Sequence, residues 1–598
     1  MYLPIPKKKG YPIVFFVSCL WLFGCSKGSR NHVSDTPPNI ILIITDDQGW
    51  GDLSKNGNTQ ISTPNLDRMA ENGVSFDRFF VAPVCSPTRA ELLTGRYHVR
   101  SGVYSTSAGG ERMNVEETTL AQIFQQAGYA TAAYGKWHNG MQPPYHPNAR
   151  GFDDFYGFCS GHWGNYFDPL LEHNGKILQG KGFLTDDLTN RGIEFMEAHQ
   201  NQPFFLYLPF NTPHSPMQVP DRWWKKFEDQ PLSLKGTIAE REKEVHTRAA
   251  LAMCENIDWN VGRIVDKVAS FGMADNTILL FLSDNGPNGH RWNGGMKGTK
   301  GSTDEGGVRS PLMMQWKQHF KAGTTIPQIT AAIDLLPTLA ELAGIPYPTK
   351  YPLDGISFKP LLVEENPQWE DRLLINNWKD KTSVRSQRYR LGHEGQLFDM
   401  VQDPNQIKDI AAQQPTVLER LQKAKEQFLK EVYSELPKED TRPFPIGDPN
   451  FSFTQLPARD AQIEGNIQRS NRWPNCSFYT NWIDASDKIS WQAEVLTSGT
   501  YEVTLYYTCP AASVGSSIEL RFNNASLATK IQAAHDPPLM GMEHDRFERG
   551  ESYVKDFRPM KMGRINLEKG KGELALVATD IPEKEVMDFR MLLFHRVE

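Results

Sequence analysis

Short, almost purely apolar segments recur along this chain, and they constrain its fold more than any other feature. The first reads Asn-Ile-Ile-Leu-Ile-Ile-Thr at residues 39–45. The others are residues 129–134, 204–210 and 277–282. A continuous β-branched run of this length is typical of a strand buried on both faces of a parallel sheet. Helical patterns at residues 118–127 and 240–270 alternate with these strands, so the sequence predicts an α/β fold with a large, mostly parallel sheet flanked by helices.

Each of the predicted strands is followed directly by residues whose side chains can bind a metal or take part in catalysis. Those residues are Asp46 and Asp47, then Lys136 and His138, then His214, and finally Asp284 and Asn285. Ligand sites of open parallel sheets lie outside the carboxyl ends of the strands, which predicts that these groups meet in one site. Three carboxylates and an amide favour a hard divalent cation, Ca²⁺ or Mg²⁺, which offsets their repulsion. Turn and capping roles are the alternative for either acidic pair taken alone.

One cysteine stands immediately before a predicted helix. Ser86 is a suitable N-cap, Pro87 a suitable first helical residue and Gly95 a suitable terminator. Cys85 therefore lies at the anion-binding end of that helix, and Arg89 in the first turn has a guanidinium suited to sulfate or phosphate oxygens. The alternative is a small buried residue ahead of an ordinary helix, which is the usual fate of a lone cysteine.

The segment Cys85-Ser86-Pro87-Thr88-Arg89, continued by Ala-Glu-Leu-Leu-Thr-Gly-Arg, resembles the signature of the type I sulfatases. Residues 46–47, 135–138, 213–214, 284–286 and 298–309 resemble further segments of that family in the same order. The resemblance covers roughly residues 38–400, and its departures, Asn139 and Asp304, affect no group used below. It implies an alkaline phosphatase-like fold and a sulfuric ester hydrolase. It also implies a formylglycine nucleophile, made from Cys85 by a formylglycine-generating or other sulfatase-maturating enzyme.

The resemblance further implies a role for each site residue. Asp46, Asp47, Asp284 and Asn285 hold one Ca²⁺ together with modified Cys85. Arg89 orients the formylglycine hydrate, Lys136 and Lys300 contact the sulfate, His214 is the general acid, and His138 is the base that releases the sulfated intermediate. Each histidine alone could instead be a structural residue.

Two other functions compete with this one. Another enzyme of the alkaline phosphatase superfamily, such as a phosphodiesterase, would have a Ser or Thr nucleophile and two metals held partly by histidine. A glycan-binding lipoprotein that kept the fold but lost activity is the second. The cysteine signature argues against the first, and the complete set of polar residues argues against the second.

The substrate is expected to be a sulfated glycan. Residues 155–169 and the segment after Asn285 are rich in aromatic and polar side chains that suit sugars. The substrate-binding candidates are His162, Trp163, Asn165, His290 and Arg291. A surface loop packed by its own aromatics is the alternative reading of the first segment. Algal ulvan, carrageenan or another galactan, and glycosaminoglycan all remain open.

The N-terminus reads as an export signal. Three lysines precede an apolar run at residues 11–23, which is too short for an ordinary membrane span. Residues 22–25, Leu-Phe-Gly-Cys, resemble a bacterial lipobox, so we expect a signal peptide at 1–24, lipidation of Cys25, a periplasmic location and membrane attachment through the lipid alone. A plain signal peptide is the alternative. The net charge of −7 gives no basis for a nucleic-acid partner.

Composition shifts along 598 residues predict more than one domain. We expect a linker at 25–38, a catalytic domain at 39–435 with a smaller subdomain from about 370, a second linker at 436–450 and a β-sandwich at 451–598. The subdomain is predicted to hold short strands within 369–406 and a helix within 413–434. Alternating strands at 489–495 and 501–507 predict a hairpin. Trp482 and Trp491 could stack on sugars or fill the sandwich core, and the sandwich could bind carbohydrate or only cover the catalytic domain.

Overall fold

The computed structural model describes residues 1–7, 9–10, 37–437 and 439–598. The chain divides into two compact units, Met1–Thr36 and Pro37–Glu598. The predicted lipidation site Cys25 and most of the predicted signal segment and first linker, residues 11–36, lie outside the described residues. Within the described part, no helix combines the length and the apolar character that a bilayer crossing requires.

A large mixed sheet is the main element of the first half of Pro37–Glu598. Its strands are β1 Asn39–Thr45, β2 Val74–Phe80, β3 Ala130–Lys136, β4 Asp154–Phe158, β5 Leu170–His173, β6 Lys176–Gln179, β7 Phe204–Pro209, β8 Thr277–Ser283, β9 Arg309–Gln315, β10 Thr324–Ile326 and β11 Thr330–Ala331. They lie in the order β10-β2-β9-β8-β1-β7-β3-β4-β5-β6, with β11 beside β2. The central strands β8, β1, β7, β3 and β4 are parallel, whereas β9 runs antiparallel to both β8 and β2.

Helices cover both faces of this sheet. They are α1 Pro64–Glu71, α2 Cys85–Thr94, α3 Leu120–Gln126, α4 Leu184–Ala198, α5 Asp221–Phe227, α6 Glu244–Ser270, α7 Glu305–Val308, α8 Leu335–Leu342 and α9 Lys359–Val363. The side chains of β1 divide between two apolar cores, with Ile40, Leu42 and Ile44 in one and Ile41 and Ile43 in the other. This is the burial on both faces that the continuous apolar run predicts, and the predicted α/β class is confirmed.

The sequence does not predict β2 or β9, which extend the sheet beyond β8. Asp77 and Arg78 interrupt the apolar pattern of β2, and Pro311 lies within β9. Both strands are nevertheless largely buried, because their apolar residues pack against the two cores. Tertiary packing has here overridden a weak local pattern.

A smaller antiparallel sheet follows the large one. Its strands are β12 Leu374–Trp378, β13 Lys381–Arg385, β14 Tyr389–Leu391 and β15 Leu397–Asp399, in sequential order. Helix α10, Pro415–Glu431, packs on this sheet through Leu421 and neighbouring apolar residues. The short strands and the helix lie where the sequence predicts them.

The C-terminal part is a pair of facing sheets. Its strands are β16 Phe444–Ile446, β17 Phe453–Pro457, β18 Gln462–Glu464, β19 Gln468–Arg469, β20 Tyr479–Thr480, β21 Lys488–Val495, β22 Gly499–Thr508, β23 Ser517–Phe522, β24 Ala525–Lys530, β25 Arg558–Leu567, β26 Gly570–Asp580 and β27 Asp588–Arg596. One sheet has the order β16-β21-β26-β23-β24 with β18 beside β21; the other has the order β19-β20-β27-β22-β25 with β17 beside β27. The predicted sandwich is therefore present, and strand β16 lies within the segment predicted as a linker.

The predicted hairpin of residues 489–507 is wrong. Strand β21 pairs with β26, whereas β22 pairs with β25 and β27 in the opposite sheet. The alternating apolar residues of both strands face one shared core, and alternation alone does not reveal which strand is the neighbour. Trp482 and Trp491 are each 1 % exposed within that core, so they pack the sandwich instead of offering a surface to sugar.

Candidate active site

The parallel register of β1 and β8 brings two acidic strand ends together. Thr45 lies opposite Ser283, so the residues that follow them, Asp46 and Asp284, leave the sheet side by side. The Asp284 N–H donates to the Thr45 carbonyl at 3.0 Å, and the Asp46 N–H donates to the carbonyl of Thr212, beyond β7, at 3.1 Å. Backbone hydrogen bonds thus fix three strand ends next to one another, as the rule for parallel sheets predicts.

Several buried oxygen atoms of this site accept no hydrogen bond from any residue that the structure describes. They are Oδ1 of Asp46, Oδ2 of Asp47 and Oδ1 of Asn285. Asp46, Cys85 and Asp284 each offer a ligand atom, and these atoms lie within 4.8 Å of one another. A buried oxygen without a partner is costly, and a hard divalent cation removes that cost. The residues therefore fit the Ca²⁺ or Mg²⁺ that the sequence analysis expects.

Two lysines approach the carboxylates. Lys136 Nζ lies 2.7 Å from Asp46 Oδ2, and Lys300 Nζ lies 2.6 Å from Asp47 Oδ1. Burial alone would raise the pKa of Asp47, but the charges of Lys300 and His214 lower that pKa well below its usual value. Asp47 is thus held as an anion, in the state that a cation ligand requires.

Arg89 forms an ion pair with a different carboxylate, that of Asp284. It donates to Asp284 Oδ2 through Nη2 at 2.8 Å and Nε at 3.2 Å, and its Nη1 donates to the Lys136 carbonyl at 2.8 Å. Burial and the nearby Asp46 carboxylate raise the pKa of Asp284 to about 7, although Arg89 and Lys136 act in the opposite direction. The guanidinium is fully buried beneath the site, and its role in orienting the nucleophile stays a prediction.

Helix α2 begins at Cys85, two residues earlier than the sequence predicts, so Cys85 is the first helical residue. Val84 is the N-cap with an extended backbone, and the helix ends at Gly95 with φ 68°, as expected. All residues of α2 are buried, and Cys85 is 3 % exposed. Burial raises the pKa of the Cys85 thiol, against the opposing charges of Lys136 and Lys300. An unmodified thiol at this position is therefore neutral at physiological pH and poorly suited to attack.

The two histidines assigned acid–base roles are each fixed by one backbone carbonyl. His138 Nε2 lies 2.9 Å from the Thr106 carbonyl, and His214 Nδ1 lies 2.6 Å from the Ser215 carbonyl. A carbonyl oxygen only accepts, so these nitrogens carry the protons. The second nitrogen of each ring is left for the site: Nδ1 of His138, and Nε2 of His214, which is 3.7 Å from Asp47 Oδ2.

His138 itself titrates far from its usual range. Burial, the Lys136 charge and the charge of Arg89 lower the pKa of His138 well below its ordinary value, although the Thr106 hydrogen bond opposes this. The ring is therefore a neutral base near pH 7. That state agrees with the base role that the resemblance implies for it.

One of the substrate-binding candidates on residues 155–169, His162, lies in contact with a site histidine. The His162 ring stacks on His214 with centroids 5.8 Å apart, and burial lowers the pKa of His162 well below its usual value. Trp163 stacks on Phe158 at 5.0 Å, and Asn165 Nδ2 donates to the Phe167 carbonyl at 2.7 Å. These contacts make Trp163 and Asn165 parts of the loop's own packing, and substrate contact by them stays a prediction.

The candidates after Asn285 differ in exposure. His290 is partly exposed, whereas Arg291 is 4 % exposed. Arg291 forms a buried ion pair with Asp52, with Nη2 2.6 Å from Oδ2, and donates from the same nitrogen to the Asp47 carbonyl at 2.9 Å. It thus supports the backbone of a predicted metal ligand, and its predicted substrate contact is not tested.

The C-terminal sandwich also reaches this site, a contact that the sequence does not predict. Asn475 lies against the segment that carries His162, since its Oδ1 accepts the Gly161 N–H at 3.1 Å. Thr106, which fixes His138, accepts a second hydrogen bond from Asn475 Nδ2 at 3.3 Å. No periodicity or motif marks these residues, because their contacts join positions more than three hundred residues apart.

The fold is of the alkaline phosphatase-like α/β class, and its strand ends carry a candidate cation-binding site. Comparison with protein-family models is more specific. A model described as Sulfatase matches residues 38–345, and one described as N-sulphoglucosamine sulphohydrolase, C-terminal, matches residues 300–434. The chain belongs to the sulfatase family, and the prediction of a sulfuric ester hydrolase is confirmed at the level of the family. Neither of these models extends into the sandwich.

Individual relatives agree with this assignment. N-acetylgalactosamine-6-sulfatase of Mus musculus is 34% identical over 364 residues, which cover 55% of this chain and 66% of that protein. Arylsulfatase G of Rattus norvegicus is 34% identical over 381 residues, covering 54% and 68%. The solved structure of Ps i-CgsB is 31% identical with a TM-score of 0.61, and the match covers 68% of this chain and 96% of that one.

Proposed function

We propose that this protein hydrolyses sulfate monoesters of a sulfated glycan with a formylglycine nucleophile made from Cys85 and one Ca²⁺. The observation that carries the proposal is the convergence of buried, unpartnered oxygens of Asp46, Asp47 and Asn285 beside Cys85. Membership of the sulfatase family supports the reaction class.

A modified nucleophile allows the covalent intermediate to release its sulfate. A serine or cysteine that attacked sulfur would be left as a stable ester or thio-adduct. A hydrated aldehyde carries two hydroxyls on one carbon. One hydroxyl forms a bond to sulfur while the bond from sulfur to the sugar oxygen breaks. The other then loses its proton as the aldehyde reforms, which breaks the bond to sulfate and releases it, and water restores the hydrate.

The cation site is assigned to Asp46, Asp47, Asp284 and Asn285, with an oxygen of modified Cys85. When bound, Ca²⁺ supplies positive charge that lowers the pKa of the nucleophile and offsets charge on the sulfate. The three carboxylates of the site are balanced formally by its three cationic side chains. The added double charge therefore matches an anionic sulfate ester and an ionised nucleophile.

The remaining groups handle the sulfate and the protons. Lys136 and Lys300 stabilise the charge that develops on the sulfate oxygens. His214, through Nε2, protonates the leaving sugar oxygen. His138, through Nδ1, takes the proton of the second hydroxyl when the aldehyde reforms. Arg89 fixes the position of Asp284 through their ion pair and orients the hydrate.

The relatives support the substrate class that we propose. The mouse relative acts, by its name, on N-acetylgalactosamine 6-sulfate, and Ps i-CgsB has been solved in complex with k-i-k-neocarrahexaose. Both are sulfated galactose-type sugars. We therefore place a sulfated galactan such as carrageenan, or a galactosamine-containing glycosaminoglycan, ahead of ulvan. Exposure to such polymers agrees with export to the periplasm and a lipid anchor at Cys25, which belong to the same proposal.

The test combines mass spectrometry with sulfate release. The full chain is expressed with and without a sulfatase-maturating enzyme, and the peptide that contains Cys85 is weighed. Formylglycine at Cys85, together with sulfate release from defined sulfated galactose oligosaccharides, is the expected result. Cys85→Ala abolishes release, whereas Cys254→Ala, which changes a buried cysteine of α6, does not. Full activity of a chain that carries an unmodified thiol would overturn the mechanism.

A further inference from the structure

The C-terminal sandwich contacts the loops of all three histidines at the site. Cys476 Sγ donates to the His162 carbonyl at 2.9 Å, and Arg549 Nη1 donates to the Gly164 carbonyl at 2.5 Å in the same loop. Glu551 accepts a hydrogen bond from Ser215, the residue after His214. The contact with the third histidine, His138, consists of a buried ion pair and a series of hydrogen bonds.

That contact begins with a buried ion pair between the two parts of the chain. Arg459 of the sandwich lies 2.6 Å from Glu111 Oε1 through Nη2, and both side chains are 1 % exposed. The other arm of Arg459, Nη1, donates to Asn475 Oδ1 at 2.8 Å. The guanidinium thereby fixes which way the Asn475 amide points, because its oxygen must accept and its NH₂ must face away.

The NH₂ group of Asn475 donates to the Thr106 carbonyl at 3.3 Å, and the same carbonyl accepts the Nε2–H of His138 at 2.9 Å. Thr106 lies in a partly exposed loop. Asn475 thus gives the Thr106 carbonyl a second hydrogen bond, which helps to fix the group that accepts from His138. The carbonyl in turn fixes the tautomer in which Nδ1 of His138 carries the lone pair.

Glycine at position 161 completes the arrangement. A Cβ there would lie 2.4 Å from Asn475 Nδ2 and 2.6 Å from His138 Nε2. Asn475 also accepts the Gly161 N–H at 3.1 Å, so a single sandwich residue joins the His138 segment to the His162 segment. The close approach leaves no room for a side chain between them.

We propose that Asn475, oriented by Arg459, is a positioning residue for His138, so that the C-terminal sandwich is a working part of the active site. The proposal rests on the base role given to His138 in the proposed function. A sandwich that served only as a separable glycan-binding module would not need a buried ion pair and a shared carbonyl at the catalytic base.

The experiment compares two substitutions at Asn475 with a matched control in the full, matured chain. Asn475→Ala removes the amide, and Asn475→Asp keeps the acceptor for Gly161 and Arg459 but places an oxygen against the Thr106 carbonyl. Thr508→Ala is the control, since Thr508 is also buried and its hydroxyl donates within the sandwich to Asp588 at 3.2 Å. Sulfate release from an oligosaccharide substrate of the wild-type chain is followed as kcat and KM across pH.

Both Asn475 variants are expected to lose about tenfold or more in kcat, with KM falling by a similar factor and kcat/KM nearly unchanged, because His138 acts in the breakdown of the covalent intermediate and not in its formation. The charged groups that face His138 are Lys136, Arg89 and Arg459. Asn475→Asp adds a negative charge opposite them. It raises the pKa of His138 and moves the acid limb of the kcat profile to higher pH.

The outcomes separate the two proposals. Wild-type kcat and an unchanged pH profile in Asn475→Asp, with a fold verified by circular dichroism, would overturn the positioning role. So would an equal loss of kcat in Thr508→Ala, because that loss would reflect stability alone. Absence of sulfate release by the matured wild-type chain would count against the proposed function, before any variant is compared.

Discussion

A buried carboxyl group in the nucleophile helix makes the stability of this protein depend on pH. Glu91 is 6 % exposed and lies six residues after Cys85 in α2. Burial raises the pKa of Glu91 to about 8 from 4.5, with a further increase from Asp354, although a hydrogen bond from the His98 N–H opposes it. The folded chain therefore binds this proton more tightly than the unfolded chain.

The sign and size of the effect follow from linkage. Because the folded pKa is raised, the stabilisation is complete below about pH 4.5 and is lost as the pH rises through about 8. The free energy of unfolding should fall by about 1.4 kcal/mol per pH unit within this window, and by about 3 to 5 kcal/mol across it. Glu91→Gln keeps the acceptor for His98 and removes the ionisation, so it should abolish this loss.

The assay is urea unfolding followed by tryptophan fluorescence at pH 5, 6, 7 and 8. Wild type and Glu91→Gln should have similar midpoints at pH 5 and diverge steadily towards pH 8, with the variant more stable. Glu364→Gln, which alters an exposed carboxylate, should follow the wild type. Parallel pH dependence in wild type and Glu91→Gln would refute the assignment of the proton to Glu91.

Three other predictions concern the metal site, the contact between the two parts, and the sandwich core. Chelation of divalent cations should lower the Tm measured by calorimetry, and Ca²⁺ at 100 times its Kd should restore about 2.7 kcal/mol; Asp47→Asn should remove the response. Arg459→Met leaves the buried carboxyl groups of Glu111 and Asp460 without their cation and should cost about 3 to 5 kcal/mol in urea unfolding, part of which a second change, Glu111→Gln, should recover. Trp491→Ala should destabilise the sandwich by about 3 to 5 kcal/mol in the same assay and leave glycan affinity unchanged in titration calorimetry.

The strand-end chemistry could be predicted because it depends on local pattern and a general rule. Residues 39–45 and 277–282 are apolar throughout, which identifies buried parallel strands, and parallel strands share one functional edge. Asp46, Asp47, Asp284 and Asn285 follow from that edge without any knowledge of three-dimensional contacts. The two ends of α2 are predicted for a similar reason, since Pro87 and Gly95 have strong positional preferences; the start is two residues off and the end is correct.

Contacts between distant segments could not be predicted. The pairing of β21 with β26 is invisible in the alternation of Ile489, Trp491, Ala493 and Val495, which fits any partner on the same core. The role of Asn475 depends on a turn of the sandwich that comes to lie against Gly161, and nothing in the local sequence marks it. Such contacts follow from the packing of whole layers, which single-chain periodicity does not encode.

The complete burial of α2 determines when Cys85 can be oxidised relative to folding. Cys85 is 3 % exposed and every other residue of its helix is also buried, so the folded chain offers no access for the active centre of another protein. The proposed oxidation of Cys85 must therefore occur on an extended polypeptide, before α2 enters the core. Timing between synthesis, oxidation and folding would then set the fraction of active molecules, and purified thiol-containing protein could not be rescued afterwards without being unfolded.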